Sequence, residues 1–252
     1  MKKYVATILL SCSLMLTAFS QQEQKTNQTD DRGRKQGLWI ELVGELEYKG
    51  DYVDNQKDGQ WLTHFKENGQ LFRIENYKAD KKDGLFLELS KQGYLTSEQY
   101  FTNNLPNGVH NQYGQGGYPI SENNYSDGKY HGLQVTYYEN IRKKSEEATY
   151  KYGVKDGPSR WYSMEGELVA EYNYVNGMLQ GEQKSFYPGN KLRSVEFYKD
   201  NKSEGAYVEY YDTGAIKTSG QYKSSLKDGK WIEYDEKGNV IKTSVFVNGK
   251  EK

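Results

Sequence analysis

From residue 33 onward, short runs of alternating apolar and polar residues are punctuated by glycine at nearly constant intervals. Alternation with a period of two marks half-buried strands, and glycine between such runs marks turns or bulges. The glycines that open each run are Gly37, Gly59, Gly84, Gly108, Gly132, Gly157, Gly181, Gly205 and Gly229, with spacings of 22, 25, 24, 24, 25, 24, 24 and 24 residues. So regular a series defines a repeat of nine units, each about 24 residues long.

The units share chemistry as well as length. With the anchor glycine as offset zero, an aromatic occupies offset 5 in Tyr113, Tyr137, Tyr162, Phe186, Tyr210 and Tyr234. A second glycine follows near offset 9, as in Gly93, Gly166, Gly214 and Gly238. An aliphatic stands at offset 11, as in Leu168 and Ile216, and another aromatic at offset 17, as in Tyr125, Tyr198 and Phe246. The unit of Gly59 carries one extra residue before Gly69. A hairpin loop such as Tyr211-Asp212-Thr213-Gly214, with glycine left-handed, places offset 5 opposite offset 11. A following turn near offset 23, drawn from dipeptides such as Asn176-Gly177 and Asp127-Gly128, places offset 17 opposite offset 5 of the next unit. The odd offsets then form one apolar ladder, with Tyr210 between Ile216 and Tyr198.

The predicted fold is all-β: an elongated single array of consecutive antiparallel hairpins. One hairpin alone buries too little to be stable, but stacked hairpins share the ladder, so stability sums over neighbouring units. At about 4.8 Å per strand, nine two-strand units span on the order of 80–90 Å before twist. Residues 21–32 contain no apolar side chain and read as a flexible polar leader to the array of residues 33–252. The charged end, Lys250-Glu251-Lys252, guards the last sheet edge.

Composition agrees with many short strands and turns: the chain holds 24 Tyr, 26 Gly and only 4 Pro. Residues 1–20 read as a signal peptide, with Lys2 and Lys3, an apolar run from Val5 to Leu16, and Ala18-Phe19-Ser20 before cleavage at Gln21. Cleavage makes the product secreted or periplasmic. The alternative is a membrane-anchored lipoprotein through Cys12, the single cysteine. The mature chain then holds no thiol, and its formal charge moves from −1 to −3 with the loss of Lys2 and Lys3. A weakly acidic surface argues against nucleic acid as a partner.

Gly59-Gln60-Trp61, Gly229-Lys230-Trp231 and the recurring Lys-Asp-Gly of residues 57–59, 155–157 and 227–229 resemble MORN repeats. The resemblance is to the bacterial variant found in secreted and antitoxin-like proteins, and it covers about residues 33–250. It implies an elongated sheet of antiparallel hairpins that binds or scaffolds other proteins, or associates with membranes, with no catalytic residues shared across the family. Gln134, Ser159 and Gln183 depart from the pattern at offset 2, where aromatics are expected.

No catalytic, cofactor or metal constellation stands out. His64, His110 and His131 occupy different positions in their units, so the fold separates them. Asp58, Asp83, Asp156 and Asp228 precede anchor glycines, where turn formation explains Asp-Gly without calcium. Glu88, Glu209 and Glu233 recur at offset 4 and read as a solvated face. The feature most open to a functional reading is offset 2, with Trp39, Trp61, Phe86, Tyr207 and Trp231. Facing away from the ladder, these rings either cover the second face or form a stripe for ligand contact. A protein partner is the leading expectation, with stacking on cell-wall glycan as the rival.

Overall fold

The computed structural model describes residues 25–139 and 141–252; the expected signal peptide, its cleavage site and Cys12 lie outside them. The described chain is all-β: 23 strands in one sheet, every pairing antiparallel and between strands close in sequence. No second layer among the described residues covers the sheet, so each side chain packs only against neighbours on its own face.

Two kinds of turn join the strands. At one edge the turns are two residues long, with both residues at positive φ, as in Asn103-Asn104 (49° and 69°) and Asp200-Asn201 (50° and 65°). That geometry is the type I′ hairpin, whose twist matches the strands it connects. At the other edge a wider loop closes from Tyr211 N–H to the Ala215 carbonyl at 2.8 Å, with Gly214 left-handed at φ 89°. Each type I′ turn is tied to the preceding one. The Asn201 N–H reaches the Leu179 carbonyl at 3.1 Å, and the Asn201 side chain accepts from the Leu179 N–H at 2.7 Å. Equivalent bonds recur down that edge, from Asn55 to Gly249. They supply the neighbour coupling on which a repeat array depends.

The expected pairing of Tyr210 with Ile216 is present, but the face assignment built on it is not. Lys217 is an extra residue in its strand: Tyr210 pairs with Ile216 while Glu209 pairs with Thr218. This bulge reverses the parity of everything that follows it. Offset 17 therefore shares a face with offset 2, and offsets 5 and 11 lie on the other side. The second turn also sits earlier than expected, at offsets 19–20, where Asn176-Gly177 and Asp127-Gly128 themselves fall. Tyr198 consequently pairs with Ser203 and not with Tyr210. Anchor Gly205 pairs squarely with Tyr222 in its own hairpin but lies in a bulge against the preceding strand, at φ 107°. Such backbone favours glycine, which accounts for the repeat's most regular feature.

The core lies on the face that carries offset 2. Trp61 is fully buried, and Phe86, Phe101, Tyr52, Ala148 and Trp231 are buried beside their neighbours on that face. Among the described residues, the only buried hydrophobic side chain on the opposite face is Val135. Counted backward, an aromatic stands seven residues before every following anchor: Tyr52, Tyr77, Phe101, Tyr125, Tyr150, Tyr174, Tyr198 and Tyr222, with Phe246 in the corresponding place of the last unit. The packed face carries runs of such rings, for example Tyr77–Phe86–Phe101 at centroid distances of 5.4 and 5.0 Å. Edge-to-face pairs of this kind contribute about 0.5–1.5 kcal/mol each beyond area burial.

Part of the leader is structured as well. Gln28 and Thr29 pair with Gln36 and Lys35, and the Asn27 side chain accepts from the Ile40 N–H at 2.7 Å. Polar residues suffice here because they complete the backbone bonds of an edge strand and bury little.

Candidate functional site

On the packed face, offset 2 closes the bulge made by the anchor glycine, and it does so by two chemistries. Trp61 and Trp231 lay their indoles over Gly50 and Gly220, where a Cβ would overlap the ring. Each indole N–H donates to the carbonyl one residue further on, Asp51 at 3.1 Å and Gln221 at 3.2 Å. Gln134 and Gln183 reach the equivalent backbone with a carboxamide. Gln183 Oε1 accepts from the Asn173 N–H at 2.8 Å, and its Nε2 donates to the Asn173 carbonyl at 3.3 Å. Gln134 makes the same pair of bonds with Asn124, at 3.0 and 2.9 Å. Gln134 and Gln183, which break the aromatic pattern, are thus buried structural plugs.

A lysine two residues before the anchor completes five of the units. Lys57 Nζ lies 4.2 Å from the Trp61 ring and 5.0 Å from that of Tyr77, and Lys227 Nζ lies 4.2 Å from Trp231 and 5.2 Å from Phe246. Lys35, Lys82 and Lys155 sit between rings in the same way. Each ammonium contributes attraction to the ring faces while its stem covers apolar surface. Of the expected contact stripe, Trp61, Phe86 and Trp231 are buried, and only Trp39 and Tyr207 remain half-exposed. Its geometry is that of packing. Burial first, then Glu209, pushes the Tyr207 hydroxyl up to about 12.

The opposite face is open. At its centre, carboxylates of successive units accept from offset-5 tyrosines: Glu98 from Tyr113 at 3.2 Å, Glu122 from Tyr137 at 2.9 Å and Glu147 from Tyr162 at 2.8 Å. Burial and the bonded carboxylate push both Tyr137 and Tyr162 up to about 12. Burial would raise Glu147, but hydrogen bonds from Lys144, Tyr162 and Arg160 hold it below its ordinary value. Toward the type I′ edge the same face exposes Val53, Leu105, Val154, Val175, Leu226 and Val247, and further in Leu133, Phe197 and Val245, each at least two-fifths exposed.

The remaining candidates are structural. Asp58 Oδ1 accepts from the Ala79 N–H at 3.2 Å and Asp83 Oδ2 from the Asn103 N–H at 3.3 Å, so both cap the next turn. Glu88 pairs with Arg73 at 2.8 Å and Glu209 with Lys217 at 2.9 Å, while Glu233 is exposed. His110 is an offset-2 ring, 5.2 Å from Tyr125, and burial, then Lys82, lowers its affinity for a proton. His64 and His131 lie elsewhere in the array, and no three metal-ligating side chains converge among the described residues. No helix among them is long and apolar enough to cross a membrane.

A row of hairpins carrying a glycine bulge and an aromatic at fixed places defines a class of repeat array. The family model for the MORN repeat variant matches residues 179–200 and 227–248, and those two segments carry the repeat of that family. Both matches run from the residue two before an anchor, Leu179 or Lys227, to the first residue of the next type I′ turn, Asp200 or Asn248. The family unit is therefore one hairpin with the wide loop at its tip. No curated protein matches the sequence. Repeats of this family are generally non-catalytic binding repeats.

Proposed function

We propose that this chain is a non-catalytic, secreted binding or scaffolding protein that engages another protein through its open face. The observation that carries the reading is the contrast between the faces. One is filled by its own rings, while the other exposes Leu133, Phe197, Val245 and the row from Val53 to Val247 along the array. Exposed apolar surface of that extent, set among polar residues, marks an interaction surface. The surrounding tyrosines and carboxylates supply the polar contacts that an interface rim uses. Export follows the reading of residues 1–20 as a signal peptide cleaved after Ser20, with lipid anchoring at Cys12 as the alternative. Glycan stacking on the offset-2 stripe finds little support, because Trp61, Phe86 and Trp231 are covered and only Trp39 and Tyr207 are half-exposed.

Capture from the envelope fraction of the native organism tests this. The intact array retains a defined protein, and Leu133→Lys with Phe197→Lys loses it at unchanged thermal stability. Equal capture by that double variant contradicts the use of the open face.

A further inference from the structure

In the two units of 25 residues the wide loop closes one residue further along, from the Phe65 N–H to the Gln70 carbonyl and from the Tyr138 N–H to the Lys143 carbonyl, each at 2.9 Å. Both loops line cavities on the same edge of the array, one of about 390 Å³ and one of about 520 Å³. Insertions gathered on one edge of a repeat array are a feature of recognition rims.

In the larger cavity three successive loops meet, contributing Tyr94, then Gly114 to Gly116 with Tyr118, then Glu139 and Arg142. Gly114 donates to the Tyr118 carbonyl at 2.7 Å, and the Tyr118 ring folds back onto Gly116, where a Cβ would come within 3.1 Å of Cε2. On Tyr118 lies the Arg142 guanidinium, its Cζ 3.2 Å from the ring centroid. Arg142 occupies the left-handed region, φ 53°, at the place that glycine takes in neighbouring loops, Gly117 at 76° and Gly166 at 85°. A long side chain in that conformation is strained, and strain of this kind concentrates at functional sites. Stacking fixes the plane of the guanidinium, and its N–H groups make no hydrogen bond among the described residues. Arg34, Arg73 and Arg160 pair with carboxylates, whereas Arg142 has no ion pair among the described residues.

We infer that this cavity is a binding site for a neutral saccharide. A ligand of either charge meets like charge on Arg142 or Glu139, whereas a sugar hydroxyl donates to the carboxylate and accepts from the guanidinium. Tyr94, 46% exposed, offers its ring to the C–H face of a sugar, and the volume suits a short oligosaccharide. The proposal concerns the loop rim and is independent of protein capture by the open face.

Ligand-observed NMR titration of the full mature chain with chitotetraose and cellotetraose tests it, with hexaglutamate and polygalacturonate as charged probes. At least one neutral tetrasaccharide is expected to bind with Kd near or below about 1 mM. Tyr94→Ala is expected to weaken that binding at least about tenfold, by removing the stacking ring. Arg142→Gly is expected to weaken it comparably while holding or raising Tm, because glycine relieves the left-handed strain. Loss of binding without loss of fold separates recognition from structure. The proposal is overturned if neither tetrasaccharide binds, if both variants bind like the native chain, or if a charged probe binds more tightly than the neutral ones.

Discussion

Two pairs of units place different side chains at one position of the same fold. In the units of Gly59 and Gly229 the bulge is covered by tryptophan, and the residue nine before the anchor is glycine, Gly50 or Gly220. In the units of Gly132 and Gly181 glutamine closes the bulge, and the corresponding residues are Asn123 and Tyr172. The tryptophan gains apolar burial and one N–H bond but needs a glycine beneath it. The glutamine replaces two backbone partners and tolerates side chains beneath. Offset 2 is therefore selected for closing a bulge, and its polarity alone says little about which face meets solvent.

The largest expected effect is on the tryptophan side. Trp61→Ala removes a fully buried indole and is expected to cost about 3–5 kcal/mol in urea melts. A cost below about 1 kcal/mol, the scale of surface changes, would remove the indole from the core. Gln183→Ala should cost less, about 1–3 kcal/mol, since it leaves the Asn173 N–H buried without its partner. The two chemistries are also expected not to interchange singly. Gln134→Trp destabilises because Asn123 occupies the space beneath, and adding Asn123→Gly restores part of the loss. Additive effects in that cycle would show that residues 123 and 134 are uncoupled.

A smaller effect is expected at the centre of the open face at high pH. The Tyr162 pKa is raised in the folded chain, to about 12 against about 10 when unfolded. Its stabilisation is therefore complete below about pH 10 and lost as pH rises toward 12. Tyr162→Phe should flatten the decline in stability across that window, and an unchanged alkaline profile would detach this hydroxyl from it.

Much of the fold was legible because glycine φ, type I′ turns and period-two alternation are local. The anchors, the nine units and the pairing of Tyr210 with Ile216 follow directly from spacing. The sidedness did not, because one bulged residue, Lys217, exchanges the faces of a whole strand without changing repeat length. Counting forward from each anchor also hid Tyr52, Tyr77 and Tyr150 in units of altered length, whereas counting back from the next anchor aligns them. The lysine sandwiched between rings carried a signal, the Lys-Asp-Gly triplet, but read as a turn it pointed only to Asp and Gly. The rim cavity was hidden for another reason: it joins three loops, and its strained Arg142 appears in sequence only as a missing glycine.

The central claim is that the face of offset 2 is the core and the face of offsets 5 and 11 is open. Urea melts of Trp231→Ala and Ile216→Ala, read against the unaltered chain, test it most directly. Trp231 is 4% exposed and Ile216 43% exposed, so the first is expected to cost about 3–5 kcal/mol and the second about 1 kcal/mol or less. Ile216→Ala proving the more damaging of the two would contradict the account and return the core to the ladder of Tyr210 and Ile216.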